Sequence, residues 1–118
     1  MKILSLLLMI FFSWNLQGQN VPKGELFIIG GGERPPSLVK SMIVTAALEK
    51  EDYVVILPMA SSIPDTVAAY ITGQLNETIS NQVVTMNFKK DEVPEQTAID
   101  SLKNAQLIYI PGGDQNRF

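Results

Sequence analysis

With 118 residues the chain has room for one domain, and its 9 basic against 12 acidic side chains, a net charge of −3, leave no electrostatic footprint for nucleic acid or an anionic lipid surface. It contains neither cysteine nor histidine. Disulfide staples, a lipid-modified cysteine anchor, thiol chemistry, a His-built metal site and any complete Ser–His or Cys–His machine are therefore excluded from these residues taken by themselves.

The chain opens on "MKILSLLLMIFFSW", one basic residue (Lys2) followed by an almost unbroken apolar run over residues 3–14 and then by polar "NLQGQN". This is the form of a secretory signal peptide, whose apolar core of about 7–15 residues is shorter than the roughly 20 needed to span a bilayer. Cleavage is expected near Gly18 or Gln19, although Leu16 suits the small-residue cleavage site poorly. Residues 1–19 would then be a signal peptide and 20–118 an exported chain, periplasmic or extracellular, without membrane contact after cleavage. An uncleaved anchor or a buried N-terminal helix is the alternative.

From Gly24 onward short apolar runs alternate with longer amphipathic ones, the pattern of βαβ units around a parallel sheet. Residues 25–29, "ELFII", predict a first strand that ends in Gly30, Gly31 and Gly32. "PPSLVKSMIVTAALEK" (35–50) predicts a helix in which Leu38, Met42 and Ala46 run beside Val39, Ile43 and Ala47 as one apolar stripe, with Pro35 and Pro36 at its opening. "YVVILP" (53–58) is a second strand, apolar throughout as expected where both sheet faces are covered. After the loop "MASSIPD" comes a helix over 66–77 with Val67, Tyr70, Ile71 and Leu75 on one face and Gly73 as a weak point. A third strand (81–88), a third helix (93–105) with Ala98, Leu102 and Ala105 turned inward, and a fourth strand (107–110) complete the order β-α-β-α-β-α-β.

The expected fold is α/β, three layers in αβα order around a mostly parallel sheet. A strand of such a sheet is normally followed by a right-handed crossover that covers one face, and none follows the fourth strand here. The chain therefore reads as the N-terminal part of a larger α/β domain, cut after its fourth strand and leaving apolar sheet surface uncovered. A complete four-stranded miniature domain is the alternative.

Three strand ends could carry chemistry. In "GGGERPP" the glycines allow a tight turn and close approach to a ligand, but the dinucleotide pattern G-x-G-x-x-G lacks its last glycine and Glu33 stands where a phosphate would sit. A tight turn serving geometry alone explains it as well. In "LPMASSIP", Ser61 and Ser62 precede a Pro-opened helix and suit capping better than nucleophilic attack, for they lack both a G-x-S-x-G setting and a histidine. "NET" at Asn76 matches the glycosylation tripeptide at a helix end. "PGGDQNRF" is the most specific of the motifs. Gly112 and Gly113 could aim backbone amides outward as an oxyanion hole requires, while Asp114, Gln115 and Arg117 add a carboxylate, an amide and a guanidinium able to read a peptide-like substrate. An ordinary polar loop remains equally open there.

In order and spacing, "GELFIIGGGE", "VVILPMASSIP" and "AQLIYIPGGDQNRF" together resemble the opening half of the cyanophycinase-like serine peptidases, relatives of the Asp-specific dipeptidase E with a flavodoxin-like, class I glutamine-amidotransferase-like fold. The resemblance covers essentially all of the chain after the signal segment. It implies hydrolysis of aspartyl or isoaspartyl peptide bonds, as in the polymer of aspartate with arginine side groups, by a serine in a Gly-x-Ser-Ala-Gly elbow and a later histidine, without metal or cofactor. Neither elbow nor histidine is present, so the nucleophile is expected beyond Phe118. By resemblance, Gly112, Gly113, Asp114 and Gln115 form oxyanion and substrate contacts, with the amides around Gly113 and Asp114 holding the anion and Gln115 the substrate. Gly31, Gly32 and Glu33 map to a turn at the same sheet edge. A full-length relative could form a homodimer. The signal segment departs from the cytoplasmic members and suggests external polymer or other peptides as substrate. A non-catalytic small-ligand-binding α/β module and an amidotransferase-like domain with a lost site are the alternatives.

Overall fold

The computed structural model describes residues 23–117. The signal segment, its cleavage site and Phe118 lie outside the described residues.

β1 (Tyr53–Ile56) is the organising strand. It pairs in parallel with β2 (Gln82–Thr85), from Tyr53 opposite Gln82 to Ile56 opposite Thr85, and with β3 (Leu107–Tyr109), from Val54 opposite Leu107 to Ile56 opposite Tyr109. The sheet is three-stranded and all parallel, in the order β2-β1-β3. Among the described residues three helices complete the α/β fold: α1 (Pro36–Ala46), α2 (Pro64–Asn76) and α3 (Gln96–Asn104), followed by a 3-10 turn over Gln115–Arg117.

The continuous apolar character of "YVVI" is explained by its position. Side chains alternate between sheet faces along a strand, and both faces of β1 are covered. Val54 and Ile56 pack with Val39 and Met42 of α1, with Ala68, Ile71 and Leu75 of α2 and with Tyr109 in the main core. Tyr53, on the opposite face, donates its hydroxyl proton to the Ser101 carbonyl of α3. No helix among the described residues is long and apolar enough to cross a membrane.

The first expected strand is corrected. Residues 25–30 have no strand pairing, so the sheet has three strands and not four. The segment nevertheless keeps a strand's alternation: Phe27 and Ile29 pack against the core, whereas Leu26 and Ile28 are 85% and 81% exposed. β-propensity measures the fit of side chains to neighbouring strands more than an intrinsic backbone preference, and here no strand edge is in register with the segment. Ile108 and Ile110 are also exposed, and by alternation they face away from the α1–α2 core.

Element ends move for local reasons. α1 opens as expected, with Pro35 at the N-cap and Pro36 as first helical residue, but stops at Ala46 because Ala47 turns left-handed (φ 48°) and donates its N–H to Val44 O. α2 starts at Pro64, two residues before the expected 66, since proline's fixed φ suits the first helical position. α3 is shorter than expected at both ends. At its start the Glu95 carbonyl accepts the N–H groups of Ala98 and Ile99, which fixes the first turn directly after the extended Glu95.

Candidate functional site

Parallel pairing brings the loops after β1 and β3 together at the carboxyl ends of the strands, the usual ligand-binding edge of an open α/β sheet. The two strand ends are joined by the Leu57 N–H, which donates to Tyr109 O at 2.9 Å. Beyond them the loops meet again, where the Asp114 N–H donates to Ala60 O at 2.9 Å. Gly113 lies so close to Ala60 that a side-chain carbon in its place would collide with the Ala60 carbonyl. Glycine at 113 is thus a packing requirement, whereas the corresponding space at Gly112 is open.

These contacts divide the expected oxyanion donors. The Asp114 amide is already committed to Ala60 O. Those of Gly112 and Gly113 have no hydrogen-bond partner among the described residues, so the two glycines keep donors free in this loop. The Asp114 side chain is turned into its own loop, with Oδ1 accepting the Asn116 backbone N–H at 2.9 Å and the Asn116 side-chain amide at 2.8 Å. The Asn116 N–H foremost, then its side-chain amide, hold the Asp114 carboxyl below its ordinary range; partial desolvation opposes them, and the Arg117 charge adds the smallest lowering effect. Gln115 is exposed. Ser61 plays the local role expected of it: its Oγ accepts the Ile63 N–H at 3.1 Å just before α2.

The glycine turn after residues 25–29 opens onto a different space. Gly30, Gly31 and Gly32 line a groove of about 860 Å³ between their segment and β3, and Gly112 lines the same groove from the other side. Gly32 has φ +111°, a conformation that side-chain-bearing residues rarely adopt. Glu33 is exposed and does not line the groove, which separates it from Gly31 and Gly32.

The residue beside it does line the groove. Arg34 donates Nε–H to Gln74 Oε1 at 3.1 Å and Nη1–H to Tyr109 Oη at 2.8 Å, and its guanidinium carbon sits over the rings of Tyr70 and Tyr109, 5.4 and 5.8 Å from their centroids. Sequence inspection overlooks Arg34 as a site residue because its partners lie 40 and 75 residues away and no local spacing pairs them. The structure therefore brings glycines 30–32 and Gly112 to one groove and fastens Gly113 and Asp114 to the Ala60 loop. Glu33 and Gln115 remain outside both contacts. No group of acidic side chains suited to hold a metal occurs among the described residues.

No family model, curated protein or solved structure matches the chain.

Proposed function

We propose that these residues form one wall of the substrate site of an exported, cyanophycinase-like serine peptidase that cleaves aspartyl or isoaspartyl peptide bonds, within a flavodoxin-like three-layer domain. The observation that supports this reading is the joining of two motifs on which the resemblance rests. "ASSIP" and "GGDQ" are far apart in sequence, yet Gly113 and Asp114 pack on Ala60, so both motifs belong to one loop assembly at the ligand-binding edge of the sheet. Within it the Gly112 and Gly113 amides are available to steady an anionic tetrahedral intermediate. The 118 residues contain no histidine, so in this reading the nucleophile and base come from residues outside them.

The mechanism asks little of the present residues beyond position. A serine oxygen attacks the amide carbonyl as a histidine takes its proton, the C–N bond breaks as that proton passes to the leaving amine, water then hydrolyses the acyl-serine, and the oxyanion formed in each half draws on glycine amides. The experiment is hydrolysis of a β-aspartyl-arginine dipeptide by the product of the whole reading frame and by the 118-residue chain alone. The whole product should turn over the dipeptide through a serine in a Gly-x-Ser-Ala-Gly elbow coded downstream of Phe118, and the shorter chain should show no turnover. A reading frame without such a serine, or serine-dependent hydrolysis by the shorter chain, overturns the proposal.

A non-catalytic small-ligand module is the second reading. The Arg34 groove favours it, because that groove gathers a guanidinium, a tyrosine hydroxyl and apolar wall suited to holding a small ligand.

A further inference from the structure

We infer that the groove between the Gly30-Gly31-Gly32 turn and β3 binds a small carboxylate-bearing ligand, anchored by the guanidinium of Arg34. This goes beyond the peptidase reading and does not require it.

Arg34 is the first reason. A guanidinium carries five N–H donors, and the two contacts it makes here are to neutral groups, the Gln74 amide oxygen and the Tyr109 hydroxyl. The Tyr70 and Tyr109 rings shield part of the cation from water, which strengthens its attraction for an anion in the groove. A guanidinium edge of this kind meets a planar carboxylate through two parallel N–H donors. Because the Tyr109 oxygen accepts from Arg34, its own proton is free to be donated to the same ligand.

The charge of the walls is the second reason. The chain as a whole is acidic, with a net charge of −3. The charged residues lining the groove are nevertheless Lys23, Arg34 and Lys103 against Glu25 alone. A positive groove on a negative chain concentrates anions locally against the overall field.

Shape is the third reason. At about 860 Å³ the groove is the size of a small-molecule site. Open space lies where side chains would project from Gly30, Gly31 and Gly32, so a ligand can approach their backbone closely. Phe27, Ile29, Met42 and Leu107 supply apolar wall for a hydrocarbon body.

A phosphate fits less well. A phosphate after a glycine turn is normally held by the free N–H groups of the following helix. Here Pro35 occupies the N-cap and Pro36 the first helical position, and proline has no N–H to offer. What remains is one guanidinium flanked by lysines, enough to pair with the two oxygens of a carboxylate but without the helix-opening N–H groups that would hold a phosphate's further oxygens.

The test uses the isotope-labelled 118-residue chain titrated with glutarate, with inorganic phosphate and with n-butylamine, followed by amide and guanidinium NMR shifts. Glutarate should give saturable shifts at Gly30, Gly31, Gly32 and the Arg34 Nε–H, phosphate weaker ones, and the amine none. Arg34→Gln should weaken glutarate binding about 10- to 100-fold, as expected for a charged hydrogen-bonded pair, with Arg34→Lys recovering only part. Since Arg34 also joins β3 to α2, Lys103→Gln serves as a variant at an exposed position, expected to weaken binding about twofold to fivefold at low salt and less at high salt. Glutarate shifts confined elsewhere, unchanged affinity in a folded Arg34→Gln chain, or phosphate binding tighter than glutarate would each overturn the inference. Site mapping on the unsubstituted chain decides the matter even if Arg34→Gln does not fold.

Discussion

Residues 25–29 and residues 53–56 are both short apolar runs that lead into loops, yet they reach opposite ends. Val54, Val55 and Ile56 are fully buried between two paired strands. Leu26 and Ile28, equally apolar, are among the most exposed large apolar side chains of the described residues. The difference lies in what flanks each run. β1 has a hydrogen-bonded strand on either side and helices on both faces, whereas the 25–29 segment runs beside a groove. Hydrophobic sequence can supply a strand's side chains, but only a neighbour in register supplies its backbone partners. The packed flank thus fixes the positions of the loops, while the open flank leaves room for a ligand.

Truncation at the two runs breaks or sharpens this contrast most strongly. Ile56→Ala should cost about 2–5 kcal/mol, the usual range for a large aliphatic residue lost from a close-packed core. Ile28→Ala, at a position 81% exposed, should change stability by less than about 0.5 kcal/mol. Urea unfolding checks both, as midpoint shifts at constant slope. Equal losses at the two sites would mean that residues 25–29 are part of the sheet in solution.

The next contrast lies within one loop. Gly113→Ala drives a side-chain carbon into the Ala60 carbonyl and should cost about 1–3 kcal/mol, whereas Gly112→Ala meets open space and should cost less than about 0.5 kcal/mol. Amide hydrogen exchange separates a local from a global effect. In Gly113→Ala the Asp114 amide should lose its protection first, because its bond to Ala60 O is what the collision displaces.

Much of this architecture is legible in the sequence. The stripe from Leu38 to Ala46 gives α1 and "TVAAYITGQLNE" gives α2, although Ala47 falls outside its helix and Tyr70, expected on the apolar face, is exposed, and the unbroken "YVVI" gives a strand covered on both sides. Helical and strand periodicities are local, so the sequence displays them directly. What escapes is long-range. Nothing within "ELFII" says whether a strand edge will lie in register with it. Nothing near Arg34 announces Gln74 and Tyr109, and nothing near Gly113 announces Ala60. "GGDQ" is visible as a motif, but whether its amides are free depends on the loop packed beneath it.

The strands flanking β1 are also tied down unequally at their entrances. Before β2, the Asn81 side-chain amide donates to both Glu49 O and Asp52 O, at 2.7 and 2.9 Å. Before β3, the Gln106 amide makes one exposed bond, to Ala46 O at 2.8 Å. Asn81→Ala should therefore cost about 1–2 kcal/mol and Gln106→Ala no more than about 0.5 kcal/mol, read from thermal midpoints. A reversed order would mean that the β3 flank, and not the β2 flank, is the more firmly anchored.

The smallest expected effect concerns the carboxylate at the end of the β3 flank. Asn116 donates two hydrogen bonds to the ionised Asp114, which places the folded-state pKa below the ordinary value of 3.8. A depressed pKa means that the unfolded chain binds the proton more readily, so this contribution to stability is present above 3.8 and is lost as the pH falls through the folded-state value. Asp114 is fully exposed, and solvent screening confines the consequence to its loop. An NMR titration should find the carboxyl signal and the Asn116 amide moving together with one midpoint below 3.8. Asn116→Ala should move that midpoint only part of the way back, because the backbone N–H, the larger cause, survives the substitution. A midpoint at the ordinary value would release Asp114 from its turn, and the carboxylate would then be free to face whatever occupies the edge of the sheet.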